Sequence, residues 1–241
     1  MVEPAYSSSS SSAIQKLYEL YKPLFKGATE EEVVTRFPPE PSGFLHIGHI
    51  KPAMLNYHFA KMYKGKFILR FDDTNPAIEN SDYVQAIMDD LAMLGILPDI
   101  VSYSSDYFDI YEDFMTKAIT EGIAYCDDSS VETMRKQRME KLESKYRNTS
   151  PDENLQIWAQ MREGKAQGWC VRGKINMSAA NACMRDPVFY RCSDVPHYRV
   201  GTKYKVYPTY DWACPIADSI EDVTHALRSL EFSPRNELYA W

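Results

Sequence analysis

No stretch of this 241-residue chain is both long and apolar enough to cross a membrane as a helix. The N-terminus carries a serine run, Ser7 to Ser12, but no apolar core of a signal peptide and few arginines for a mitochondrial address. The serine run reads as disordered. The five cysteines (Cys126, Cys170, Cys183, Cys192, Cys214) form no CxxC pair and no close cluster with histidine. That spacing argues against structural zinc and for a reducing compartment, and the chain reads as cytosolic. A general excess of basic charge is also missing, since the net charge is −7. The deficit is uneven: residues 127–206 hold fifteen Lys/Arg against ten Asp/Glu, and the remainder holds twelve against twenty-four. A basic middle set in an acidic protein is compatible with local phosphate contact.

The composition, 44% hydrophobic and 25% charged, is that of a globular chain of one large or two small domains. Its most informative stretch runs from Val33 to His49, VVTRFPPEPSGFLHIGH. A β-branched and aromatic run ends in Pro38, Pro39, Pro41 and Gly43, and a helical periodicity starts near His46. Strand, irregular turn and helix start together open a nucleotide-binding βα unit. His46 and His49, three apart, point the same way on a first helical turn and can donate to phosphate oxygens. At Gly48 a side chain would keep a flat ring off the backbone.

Further along, residues 13–32 predict a short amphipathic helix and an acidic linker. The helix after His49 carries Ile50, Ala53, Met54 and Tyr57 on one face, tolerates Pro52 in its first turn and ends near Gly65. Phe67 to Phe71 reads as a buried strand leading into Asp72 and Asp73, where open α/β sheets place ligands. Those aspartates equally suit turn or helix caps. Helices are predicted over 81–94, 107–121, 131–146 and 152–163, and strands over 169–175, 188–192 and 222–228.

The string TRFPPEPSGFLHIGHIK resembles the first signature of class I aminoacyl-tRNA synthetases, and most of all their glutamyl/glutaminyl branch of the eukaryotic and archaeal type. Arg70 to Pro76 (RFDDTNP), Cys183 to Pro187 (CMRDP) and Val206 to Asp211 (VYPTYD) are similar to that branch in order and spacing. The resemblance implies an α/β architecture: a Rossmann-type nucleotide-binding fold with an inserted α+β acceptor-binding domain. It divides the chain into an N-terminal tail and helix (1–32), a first catalytic half (33–126), the insert (127–206) and a second half (207–241).

The resemblance also implies roles. His46 and His49 are the catalytic pair, binding ATP with Gly48, and Ser229 and Glu231 are weaker ribose contacts. Asp72, sharing with Glu40, takes the α-ammonium of the amino acid. Arg228 ends the run Thr224-His225-Ala226-Leu227 and faces the substrate side chain, with Arg36 and Tyr210 as co-ligands. An arginine there suits a carboxylate, by charge and forked hydrogen bonds, and leaves an unpaired charge against an amide. Arg172, Lys174 and Arg185 are the acceptor-stem contacts, and no residue is assigned to a protein-held metal. Cys214 stands where relatives carry an amide or histidine near the α-carboxylate.

The implied activity is glutamate activation by MgATP and transfer to tRNA(Glu). The implied partners are L-glutamate, ATP and tRNA, with room for a multi-synthetase complex joined through an upstream module and none for a membrane. A glutaminyl enzyme and a synthetase-like binding module that has lost catalysis remain the alternatives. The lysine-rich KMSKS-like loop and the anticodon-reading domain of class I enzymes have no counterpart here. The chain is therefore expected to bind glutamate or ATP with little or no aminoacylation. Charging of tRNA(Glu) with labelled glutamate checks this, and full aminoacylation by these 241 residues would contradict it.

Overall fold

The computed structural model describes residues 27–241, together with Lys16 and Leu20. The serine run and most of the helix expected over 13–32 lie outside the described residues; Lys16 and Leu20 are helical, and 27–32 are turn or irregular.

Three strands, β1 (Val34–Phe37), β2 (Lys66–Phe71) and β3 (Ile100–Tyr103), form a parallel sheet in that order. Parallel neighbours need a crossover, supplied by α1 (Ile47–Met62) and α2 (Ser81–Met93). The middle strand is buried on both faces: Phe67, Leu69 and Phe71 pack with Ala53 and Ala60 of α1 and with Val84, Ile87 and Leu91 of α2, and Arg70 on the opposite face meets Asp218. Arg36 on β1 and Arg70 on β2 break the apolar pattern and are buried all the same.

Helix α1 differs from its expected form in two ways. Pro52 is its sixth residue, beyond the first turn, so the ring removes the hydrogen bond that the Gly48 carbonyl would accept. The inward face is Ala53, Asn56, Phe59 and Ala60, with Met54 turned out at 41% exposure. A buried asparagine defeats a reading that tracks only apolar residues. After the helix, Gly65 packs directly on β1: a Cβ there would run into the Val33 carbonyl oxygen, which accepts from the Lys66 amide at 2.9 Å.

After β3 a 3-10 turn (Ser104–Tyr107) feeds α3 (Phe108–Thr120). A second, antiparallel sheet follows, in the order β4 (Ala124–Asp127), β5 (Cys170–Gly173), β6 (Val188–Cys192), β7 (Val206–Pro208). Helices α4 (Val131–Glu140) and α5 (Pro151–Arg162) lie between β4 and β5. Helix α4 stops six residues short of its expected end, because Lys141 turns left-handed at φ 61°. The sheet's core, with Trp158, Phe189, Tyr190 and Tyr207, is continuous with Phe108, Tyr111 and Met115 of α3 and Ala213 and Ala217 of α6 (Tyr210–Ile220). A 3-10 turn (Leu230–Arg235) and α7 (Asn236–Ala240) complete the described chain.

Strands β3 and β4 were not anticipated, being four residues each with mixed polarity. The strand expected over 222–228 is absent. The segment instead runs beside β1 and is tied to it at Val34. Thr224 and His225 donate their amides to the Val34 carbonyl at 3.0 and 3.1 Å, and the Val34 amide donates to Thr224 Oγ1 at 2.8 Å.

Gly65→Ala is expected to lower stability by about 1–3 kcal/mol, as overpacking against backbone does. Urea unfolding followed by circular dichroism reads this, and an unchanged midpoint would show that α1 and β1 do not meet there.

Candidate functional site

A cavity of about 640 Å³ opens beyond the carboxyl ends of β1 and β2. Its walls come from segments far apart in sequence: Glu40 after β1, Gly48 and His49 of α1, Asp72 after β2, Tyr210 at the start of α6, and Arg228, Ser229 and Glu231 near the end.

The helix-start wall is built by the histidines themselves. His46 caps α1: its Nδ1 accepts from the Gly48 amide at 3.1 Å, and its own amide donates to His49 Nδ1 at 3.4 Å. With both Nδ1 atoms accepting, each ring keeps its proton on Nε2, a donor free for a ligand at the positive end of the helix. The rings stack at 3.8 Å. Burial and the neighbouring His46 lower the His49 pKa, which favours this neutral form. His49 lines the cavity, and His46 stacks against it without being one of the lining residues. A Cβ at Gly48 would press into the His46 ring at 2.9 Å, so the glycine also preserves the stack.

The acidic wall separates the two aspartates. Asp72 faces the cavity and has its carboxyl pushed up to about 6, chiefly by burial, with Arg70 opposing and Glu40 adding to the rise. Asp73 is fully buried and structural: it accepts from the Ser105 amide at 2.8 Å and the Ser105 hydroxyl at 2.6 Å, holding the 3-10 turn. Sequence reading missed Glu79, whose buried carboxyl accepts from the Asn75 amide at 2.8 Å and is pushed up to about 9, mainly by burial.

The basic wall holds Arg228. One of its nitrogens donates to Asn236 Oδ1 at 2.7 Å, and the guanidinium lies 4.5 Å from the Tyr239 ring centre. Its other terminal nitrogen is buried with no hydrogen-bond partner, and among the described residues Arg228 makes no ion pair. The Tyr210 hydroxyl is its neighbour, kept protonated by burial and by Cys214. Ser229 donates to Glu231 Oε1 at 2.8 Å on the same wall.

Arg36 lines the cavity, yet its guanidinium is committed elsewhere. Nε donates to both Asp218 oxygens, at 3.0 and 3.1 Å, and Nη1 reaches the Leu227 carbonyl only at 3.4 Å. Asp218 also accepts from Arg70 at 2.5 Å and from the Tyr239 hydroxyl at 2.7 Å. Arg36 is thus a structural cation as well as a lining residue.

The three expected nucleic-acid contacts fare differently, and none lines the cavity. Arg172 is a correction: it is fully buried, paired with Asp127 at 2.8 Å and donating to the Asp186 carbonyl at 2.9 Å, so no solvent-side phosphate reaches it. Arg185 spends its guanidinium on the carbonyls of Ala179, Arg138 and Ala180 at 2.8–3.0 Å. Lys174 is half-buried, and its side chain makes no hydrogen bond or ion pair among the described residues. Arg191 was missed. It lines the cavity from β6 and donates to the Thr74 carbonyl at 3.1 Å. Strand alternation carried the signal, since Tyr190 beside it faces the core. Among the described residues no group of three or more His, Cys, Asp or Glu is arranged to hold a metal ion.

Asp218→Asn leaves two buried arginines with half their counter-charge and is expected to cost about 3–5 kcal/mol. Lys61→Ala, which breaks the half-exposed pair with Asp99, is expected to cost under about 1 kcal/mol. Burial opposes the Asp218 charge, but Arg36 and Arg70 outweigh it and hold the carboxyl below its ordinary 3.8. Its stabilisation is therefore complete above that value and lost as pH falls through the depressed one. Denaturant titrations of both variants at neutral and acid pH check this, and equal costs would contradict it.

Comparison with known proteins fits this geometry. Residues 32–241 match the family described as tRNA synthetases class I (E and Q), catalytic domain. The chain is 55% identical over 216 residues to a probable cytoplasmic glutamate–tRNA ligase of Schizosaccharomyces pombe, covering 89% of this chain and 30% of that protein. It is 53% identical over 213 residues to the cytoplasmic glutamate–tRNA ligase of Saccharomyces cerevisiae, covering 87% and 30%. The bifunctional glutamate/proline–tRNA ligase of Mus musculus is 52% identical over 217 residues, 89% of this chain and 14% of that one. The chain thus spans under a third of the length of these relatives. Among solved structures, glutamate–tRNA synthetase from Elizabethkingia anophelis superposes with a TM-score of 0.64 at 25% identity, over 87% of this chain and 47% of that one. The two-sheet architecture, the histidine-headed helix and a family match over nearly all the described residues agree, and the chain belongs to the class I tRNA synthetases of the glutamyl and glutaminyl group, as their catalytic domain.

Proposed function

We propose that this chain is the amino-acid-activating unit of a glutamate–tRNA ligase. The observation that carries the reading is Arg228: a guanidinium on the cavity wall beside the Tyr210 hydroxyl that, among the described residues, has no ion-pair partner and keeps one buried nitrogen without a hydrogen bond of good geometry. A buried donor without an acceptor costs free energy until a ligand supplies one. A side-chain carboxylate satisfies both the charge and the fork, whereas the amide of glutamine leaves the charge unpaired. A glutaminyl enzyme is the poorer reading for that reason.

In the first step the glutamate α-carboxylate attacks the α-phosphate of ATP, giving glutamyl-adenylate and releasing pyrophosphate. In the second, the 2′-hydroxyl of the tRNA terminal adenosine attacks the adenylate carbonyl and AMP leaves. His49, with His46 stacked on it, donates Nε2–H bonds to phosphate oxygens at the helix N-terminus. Gly48 leaves room for the adenine, and Ser229 and Glu231 face the ribose. Asp72 and Glu40 hold the α-ammonium, while Arg228 and the Tyr210 hydroxyl hold the distal carboxylate. Magnesium enters with ATP as part of the substrate. Positioning and charge complementarity carry the rate, with no covalent enzyme intermediate.

Lys174, just after β5, is the remaining acceptor-stem contact. Its relatives are named cytoplasmic, and the same location is proposed here. No helix among the described residues is long and apolar enough to cross a membrane.

Two outcomes test the reading by calorimetric titration of the 241-residue chain. Arg228→Met is expected to weaken L-glutamate binding about 10- to 150-fold, the worth of a charged hydrogen bond, with ATP affinity unchanged within about twofold. Equal affinity of the unsubstituted chain for glutamine and glutamate would overturn the assignment. With the Asp72 carboxyl at about 6, glutamate affinity is expected to fall about tenfold per pH unit below that value and to level off above it. Asp72→Asn should flatten the profile, and an unchanged profile would remove Asp72 from the site.

A further inference from the structure

The loop that carries Asp72 belongs to the first sheet and is held from both sheets. On its own side the Asp72 amide donates to the Pro39 carbonyl at 2.9 Å, and Asp73 accepts from Ser105. Four side chains from the β6–β7 region close on it from the other side. Arg191 donates to the Thr74 carbonyl at 3.1 Å, and His197 Nε2 lies 2.8 Å from the Asp73 carbonyl oxygen. The Tyr198 hydroxyl donates to Asp73 Oδ2 at 3.3 Å, and Arg199 stands 3.9 Å from the same oxygen.

His197 is the most constrained of the four. It is buried between Phe108, Tyr198 and Tyr207, with ring centres 4.9–6.0 Å away. Its backbone closes a tight hairpin with Gly201 through reciprocal bonds of 2.9 and 2.8 Å. Its Nδ1 accepts from the amides of Arg199 at 3.1 Å and Val200 at 3.3 Å. That nitrogen therefore has no proton, and the ring proton sits on Nε2 and is donated to the Asp73 carbonyl. The tautomer is set on one side by the hairpin and used on the other by the loop.

We propose that His197 is a positioning residue for the amino-acid site: by gripping the Asp73 carbonyl it sets where the Asp72 carboxylate meets a substrate ammonium group. The inference rests on the glutamate reading above. It makes the second sheet a structural partner of amino-acid recognition, since a displacement of the 197–201 hairpin moves the Asp73–Thr74 peptide bond, the second one after Asp72. His197 touches no ligand itself, so its effect is confined to ligands that use Asp72.

That confinement gives the test. His197→Gln keeps an N–H donor at the reach of Nε2, and His197→Asn keeps an acceptor near Nδ1 but is too short to reach Asp73. Each is titrated calorimetrically with L-glutamate, with ATP, and with glutarate, which has both carboxylates and no ammonium. His197→Asn is expected to weaken L-glutamate about tenfold or more, with glutarate and ATP within about twofold, and His197→Gln is expected to recover L-glutamate to within about threefold. Tyr198→Phe, which removes a single hydroxyl, gives a milder loss with the same selectivity and serves if His197→Asn fails to fold. Equal losses for L-glutamate and glutarate in either the Asn or the Phe variant overturn the inference and leave the glutamate reading intact. Failure of the unsubstituted chain to bind L-glutamate overturns both.

Discussion

Two arginines buried on neighbouring parallel strands need an anion between them, and Asp218 is that anion. Arg36 pairs in register with Ile68, so Arg36 and Arg70 project from the same face of the sheet, one register step apart. Without a shared carboxylate their charges would repel in a medium that screens poorly. Asp218 receives both, and Glu221 takes the remaining reach of Arg70 at 2.6 Å while also accepting from Ser102 and Tyr107. Tyr239 adds α7 to the same carboxylate. One charge cluster therefore fixes β1, β2, β3, α6 and α7 relative to one another.

The cavity is a consequence of that lock. The Leu227 carbonyl, one residue before Arg228, receives Nη1 of Arg36 and Nδ2 of Asn56, so the structural cation and the helix behind the histidines both hold the segment that presents the free cation. Thr224 ties the start of that segment to Val34. The two halves of the site, the imidazole pair on α1 and the guanidinium near the end, are thus anchored through the same two or three polar side chains. On the far wall the second sheet supplies Arg191 and His197, so the acidic loop is clamped between two cores rather than carried on one.

Much of this was legible in the residues, and the misses share a cause. The strand–turn–helix around His46, the long apolar β2, the strand over 188–192 and the stops at Gly95 and Gly122 are local signals, and the structure has them. The convergence of Glu40, Gly48, His49, Asp72, Tyr210 and Arg228 on one cavity followed from the family resemblance and not from periodicity. Arg172 looked like a surface cation because Asp127, its counter-ion, is 45 residues away and becomes its neighbour only through the β4–β5 pairing. The structural role of Arg36 did not show because Asp218 is 182 residues away. Asn56 and Glu79 were invisible because buried polar residues leave no mark in an apolar pattern. The segment 222–228 read as a strand, with Val223 and Thr224 favouring one, but Asp222 turns left-handed at φ 55° and a threonine hydroxyl replaces the ladder.

The central claim is that the guanidinium of Arg228 is held in place by this buried framework in order to meet a carboxylate. A crystal structure of the chain grown with L-glutamate tests it most directly. The account predicts the distal carboxylate of the ligand within about 3 Å of the Arg228 terminal nitrogens and of the Tyr210 hydroxyl, with the ammonium on Asp72. Glutamate bound in the cavity with Arg228 still unpaired, or with its α-carboxylate on Arg228 and its ammonium away from Asp72, would contradict it.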